Sequence, residues 1–181
     1  MQYCRPPDPT PRLAVLGSLG IEEHSATRSA IRRTWMSRGS MSGDVLPFFV
    51  LRGVGAREST ISEAAARGDI IFLETNASQP RTSGPLSSLL LWLECAIVAW
   101  PAASLIGKTE EDVWLHLPGI AHRLRLDMRA IQSRQQKGLE KGSSSASLRI
   151  YWGLMETCAI GDAGVETVVA IYIILPMPSP R

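Results

Sequence analysis

Neither a zinc ribbon nor a zincin site can be built from this sequence. Its three cysteines, Cys4, Cys95 and Cys158, include no CxxC pair, which also argues against a disulfide framework. Its three histidines, His24, His116 and His122, form no HExxH. The longest nearly unbroken apolar run, Val168 to Leu175, falls far short of the roughly 18 residues that a membrane span needs. The opening residues, MQYCRPPDPTPR, hold no apolar stretch, so neither a signal peptide nor an anchor is expected within the chain. Charge of one sign is lacking too: 19 Lys and Arg stand against 17 Asp and Glu, a net charge of +2. That balance argues against a nucleic-acid partner.

What is there is the composition of a globular domain. The 181 residues are 45% hydrophobic and 20% charged. At about 150 residues per domain this allows one domain, or one with an appendage.

Residues 1–11 carry four prolines and read as an irregular lead-in. Leu13-Ala14-Val15-Leu16, closed by Gly17, is a short continuous apolar run, the pattern of a strand buried on both faces. Residues 22–38 contain no Pro or Gly and place Ala26, Ala30, Ile31 and Trp35 near helical spacing, so one helix is expected there, ending at Gly39. A second strand is expected at Phe48 to Leu51, an Ala-rich helix over 58–67 with Gly68 as its C-cap, and a third strand over 69–73. Residues 75–85 read as a polar loop, which includes the sequon Asn76-Ala77-Ser78. Residues 86–100 read as a helix apolar around most of its circumference, expected to be largely buried, with Cys95 in the core. Residues 103–107 form a fourth strand, Val113 to Leu115 resume an extended pattern, and 117–132 read as a helix.

Strands and helices thus alternate, which predicts a doubly wound α/β fold. Its sheet should be mostly parallel, with helices on both faces. The expected organisation is an α/β unit over 12–132, which the resemblance given below makes a nucleotide-sugar-binding domain, a flexible linker over 133–147 and a further segment over 148–181, with one more strand at 148–153. Ligands of such sheets bind at the carboxyl ends of the strands.

Two constellations stand out. Glu110-Glu111-Asp112 follows the fourth strand. Adjacent carboxylates repel one another unless a cation or donors offset the charge. Mn²⁺ or Mg²⁺ is a natural partner for such oxygens. Arg28 and Arg32 are i and i+4 on one helix face and could present planar donors to a phosphate. A solvated acidic turn and a solvated basic face are the plain alternatives.

The ordered set Arg28-x-x-Ile31-Arg32-x-Thr34-Trp35, Phe48-Phe49-Val50, Glu63 followed by Asp69-Ile70, and Lys108-Thr109-Glu110-Glu111-Asp112-Val113 resembles the landmarks of the beta-1,3-galactosyltransferase family. The matches span about residues 12–125. The resemblance implies a GT-A fold and a metal-dependent, inverting hexosyltransferase. Its donor would be a UDP-sugar of galactose or N-acetylglucosamine type, and its acceptor a glycan or glycoprotein. It further implies metal ligation by Glu110 and Asp112, donor contacts from Arg28, Arg32, Lys108 and Glu111, and a lumenal Golgi location with any membrane anchor outside this chain. The sequence departs from the family pattern in three places. Glu110-Glu111 replaces Asp-Asp, Ser87 and Ser88 stand where a Lys is expected, and no E-D-V segment follows, since Glu166 precedes Thr167 and Val168. No catalytic base is assigned, and 148–181 reads as a remnant of the acceptor-side half. A truncated donor-binding module without turnover is the alternative function. Donor sugar, acceptor, linkage and oligomeric state are not legible.

Overall fold

A computed structural model describes residues 5–39, 44–52, 56–74, 84–140 and 172–174. Strand β1 (Arg12–Leu19) lies at the centre of a five-stranded sheet, parallel to β2 (Val45–Arg52) on one side and to β4 (Ala103–Glu110) on the other. Leu16 is in register with Pro47 on β2 and with Gly107 on β4. β3 (Ile70–Leu73) extends the sheet in parallel beyond β2. The four strands expected near 13–17, 47–52, 69–73 and 103–107 are therefore mutually parallel, as the continuous apolar runs require of strands covered on both sides. β5 (Tyr172–Ile174) pairs antiparallel with β4. In the sequence it lies within the apolar run Val168 to Leu175 and is not marked as a strand, because a three-residue edge strand has no periodicity of its own.

Helices cover both faces of the sheet. On one side α1 (Ser25–Arg33), α2 (Trp35–Gly39) and α5 (Leu117–Glu140) enclose a core that includes Leu16, Ile31, Trp35, Leu105 and Leu124. α3 (Glu58–Arg67) joins that side through Ala64. On the other side α4 (Gly84–Ala99) packs Trp92, Ala96 and Ala99 onto Val15, Phe48, Val50 and Ile106. Trp92 fixes the seating of α4. Its Nε1–H donates to the Gly107 carbonyl at 2.9 Å. Its ring lies so close to Gly17 that a Cβ there would fall 2.5 Å from it.

Several boundaries differ from the sequence reading. The single helix expected over 22–38 begins at Ser25 and breaks at Thr34. The Thr34 hydroxyl donates back to the carbonyls of Ala30 and Ile31, at 2.8 and 3.2 Å, and competes with the helical ladder. α3 matches 58–67, and Gly68 closes it in the left-handed region at φ 67°. α4 is not buried all round: Leu86, Leu90, Ile97 and Val98 are exposed. Cys95, expected in the core of a chain without a disulfide framework, is half-buried against the core and disulfide-bonded. α5 continues to Glu140, so helix occupies 133–140, where a flexible linker is expected. Arg134, Gln135, Gln136 and Lys137 are good helix formers that carry the helix on from its packed first turns. Residues 75–83 with their sequon, the rest of the linker at 141–147, the strand at 148–153, and 148–181 apart from β5 lie outside the described residues.

Candidate functional site

The strand order β3-β2-β1-β4 reverses direction between β1 and β4, the position where open α/β sheets form a crevice beyond their carboxyl ends. A cleft of about 700 Å³ opens there. Its floor is made by the strand ends Leu19, Val50, Leu51 and Leu73. One wall is the β1–α1 loop with Gly20, Ile21 and His24, and a second is the end of β4 with Lys108, Glu110, Glu111 and Asp112. The first turns of α4 form a third.

The acidic wall arises from a strand that ends in a tight turn. Strand periodicity puts Lys108 and Glu110 on the same side, and the Lys108 ammonium pairs with the Glu110 carboxylate. Glu111 and Asp112 form the turn. Val113 and Leu115 then enter the core, which anchors the turn from below and explains the apolar, extended pattern that follows the acidic triplet. Glu111 reaches across the cleft, where one oxygen pairs with His24 Nδ1. Its other oxygen, Oε2, is buried with no partner among the described residues. Gly20 makes room for this carboxylate, since a Cβ at that position would overlap it. Asp112 is exposed at the cleft wall.

Arg28 and Arg32, expected to contact the donor, do not line the cleft. Arg28 is wholly out of solvent. Its Nη1 donates to the carbonyls of Ile21 and Glu22, both at 3.1 Å, and its Nε and Nη2 donate to the Glu63 carboxylate at 3.1 and 2.7 Å. Arg32 donates to Glu63 at 2.6 Å and to both Asp69 oxygens at 2.7 and 2.8 Å. Its guanidinium also lies over the Phe49 ring at 4.8 Å. The shared helix face read from i, i+4 spacing is real, but it turns toward α3 and the start of β3, where two carboxylates neutralise it. Hydrogen bonds from Arg28, joined by those from Arg32 and opposed by burial, hold the Glu63 carboxyl below its ordinary value. For Arg32, burial works against the charge, and the hydrogen bonds to Asp69 and Glu63 outweigh it and raise the pKa. The pair serves the cleft indirectly, because Arg28 ties down the carbonyls of the loop that forms its first wall.

Lys108, Glu110, Glu111 and Asp112 are thus brought together at the cleft, while Arg28 and Arg32 stand behind it. Sequence reasoning missed His24 and Arg52. Arg52 ends β2, two strands from β4, and lines the same cleft as the acidic turn; its position at the end of a buried strand was the available signal. His24 gave none. His116 stacks on Trp114 with ring planes 8° apart, and neither residue lines the cleft.

Among the described residues no group of three or more His, Cys, Asp or Glu side chains gathers around one point. The residues do suit the mode in which one or two carboxylates and substrate phosphates share a divalent cation. Asp112 is available at the cleft wall, a second carboxylate lies two residues away, and the orphaned Glu111 oxygen marks an acceptor surplus at the same turn.

Residues 26–149, more than half of the chain, match the sequence model of the family described as Galactosyltransferase. The match takes in the arginine pair, Glu63, Asp69 and the acidic triplet. No curated protein gives a significant match to the chain.

Proposed function

Because the chain belongs to the galactosyltransferase family, we propose that it transfers a hexose, of galactose or N-acetylglucosamine type, from a UDP-sugar to a hydroxyl of a glycan or glycoprotein. Family membership supports glycosyl transfer with a sugar donor and an acceptor as partners. The finer reading rests on one observation above all. Three consecutive carboxylates and a lysine converge on a cleft of about 700 Å³ at the switch point of the sheet, a volume in the range of small-molecule sites.

In this reading the sugar nucleotide lies across the carboxyl ends of β1 and β4. Transfer is inverting: the acceptor oxygen attacks the anomeric carbon, the bond to the diphosphate breaks, and the acceptor proton passes to a base not assigned here. Asp112 and Glu110 would hold a divalent cation, Mn²⁺ or Mg²⁺, whose charge would offset that of the leaving diphosphate. Lys108, already against Glu110, would give the same anion a positive neighbour. Gly20 lets the first wall approach Glu111 closely, and Glu111 together with His24 ties the two walls across the cleft. A lumenal Golgi setting is part of the proposal. The disulfide at Cys95 supports it, since such bonds persist in oxidising compartments. Among the described residues no helix is long and apolar enough to cross a membrane.

A second reading is donor binding without turnover. It is favoured by the engagement of both glutamates of the triplet with Lys108 and His24. The two separate in a radiolabelled UDP-hexose assay with Mn²⁺. Hexose transferred to an acceptor supports the enzyme, and UDP binding with neither transfer nor donor hydrolysis supports the binding module.

A further inference from the structure

Arg28, Arg32 and Arg57 are matched to carboxylates, whereas Arg52 has none among the described residues. It ends β2 at the cleft, and its Nε donates to the Ser88 hydroxyl at 3.2 Å. Ser88 is buried and donates in turn to the Gly84 carbonyl at 2.9 Å. The end of the guanidinium, Nη1, Nη2 and Cζ, lies close against Gly84, where any Cβ would overlap it. It is therefore anchored at one nitrogen and backed by the glycine at its end. Among the described residues neither terminal nitrogen has a hydrogen-bond partner, and no carboxylate pairs with the group. Lys108, the other cation of the cleft, already faces Glu110.

A guanidinium that lines a cleft with no carboxylate partner among the described residues suits an oxyanion. We infer that Arg52 is an anion-recognising residue of this cleft, that its ligand class is a phosphate or diphosphate, and that Gly84 and Ser88 form its seat. The inference rests on the donor-binding reading in identifying that anion as the diphosphate of a sugar nucleotide. Arg52 would give the cleft a positive charge that no carboxylate among the described residues neutralises, whereas the arginine pair of α1 is paired to Glu63 and Asp69.

The test is calorimetric titration of the full chain, with Mn²⁺ present, using UDP, inorganic pyrophosphate and uridine as probes. The proteins are wild type, Arg52→Gln, Arg52→Lys and Gly84→Ala. Arg52→Gln should weaken UDP and pyrophosphate about tenfold, the scale of one lost charged hydrogen-bonding partner, and leave uridine unchanged. Arg52→Lys should fall between, since it keeps the charge but not the fork. Gly84→Ala, which keeps the arginine but removes its seat, should weaken both anions and guards against a misfolded Arg52→Gln. Unchanged UDP and pyrophosphate affinities in Arg52→Gln and Gly84→Ala would overturn the inference alone. An equal loss for uridine would also overturn it. Pyrophosphate binding that depends on Arg52 without any UDP binding would uphold Arg52 and defeat the donor reading. No binding of either anion by wild type would overturn both.

Discussion

Arg28 and Glu63 are joined by two hydrogen bonds, at 3.1 and 2.7 Å, with the arginine wholly out of solvent. They lie 35 residues apart in the chain. They belong to separate landmarks of the family pattern, the arginine pair and the Glu63–Asp69 segment, and the structure shows these landmarks to be partners. Arg28 then spends its remaining contacts on the carbonyls of Ile21 and Glu22. A motif with the appearance of a phosphate site is thereby a brace for one wall of the cleft.

Glu63→Gln should therefore be costly. It leaves a buried guanidinium without its counter-charge, a change that destabilises proteins by about 3 kcal/mol or more. Urea unfolding of the variant should show a lower midpoint at unchanged slope. A midpoint within error of wild type would mean that the brace contributes nothing.

The same residue sets a pH dependence. In the fold the Glu63 carboxyl titrates below its ordinary value of 4.5. Its contribution is fully present above that pH and is lost as pH falls through the folded pKa. The gap in unfolding free energy between wild type and Glu63→Gln should stay constant from about pH 7 to 5 and narrow below about 4.5. A gap that widens on acidification would contradict the sign.

Arg32→Lys separates bracing from ligand binding. Lysine cannot reproduce the bonds to Glu63 and both oxygens of Asp69. Stability should fall by about 1–2 kcal/mol, while UDP affinity at saturating Mn²⁺ should change less than about twofold. A large loss of affinity at unchanged stability would return Arg32 to the donor site.

Gly17→Ala tests the seating of α4. The new methyl would meet the Trp92 ring, and overpacking of this kind costs about 1–3 kcal/mol. The indole fluorescence should shift along with a lowered thermal midpoint, and an unchanged midpoint would show that Trp92 can move aside freely.

The parallel sheet was legible in the sequence because each of its four strands is a short apolar run bounded by turns, and burial on both faces writes that pattern directly into composition. The C-cap at Gly68 was legible because only glycine adopts φ 67° without cost. The break at Thr34 was not, since it depends on a hydroxyl choosing a backbone partner. The exposed side of α4 was hidden for a different reason: a helix apolar all round carries no stripe to say which side meets the sheet. At the site, the acidic triplet could be placed from its strand, whereas the arginine pair could not. Helical spacing shows that Arg28 and Arg32 share a face but not whether phosphate or carboxylate waits across from it. His24 enters only through a tertiary neighbour, Glu111, while Arg52 was signalled by its place at the end of a buried strand but not by its contact with Ser88.

The central claim is that the turn at Glu110 to Asp112 binds a sugar nucleotide together with a metal ion. It is tested most directly by titrating UDP into wild type and Asp112→Asn, each with and without Mn²⁺. Asparagine removes one charge from an exposed turn with little change of shape, so the thermal midpoint should hold. Wild type should bind UDP only with Mn²⁺, and Asp112→Asn should lose that binding. UDP binding that ignores Mn²⁺, or that survives Asp112→Asn unchanged, would make the triplet an ordinary solvated turn and contradict the claim.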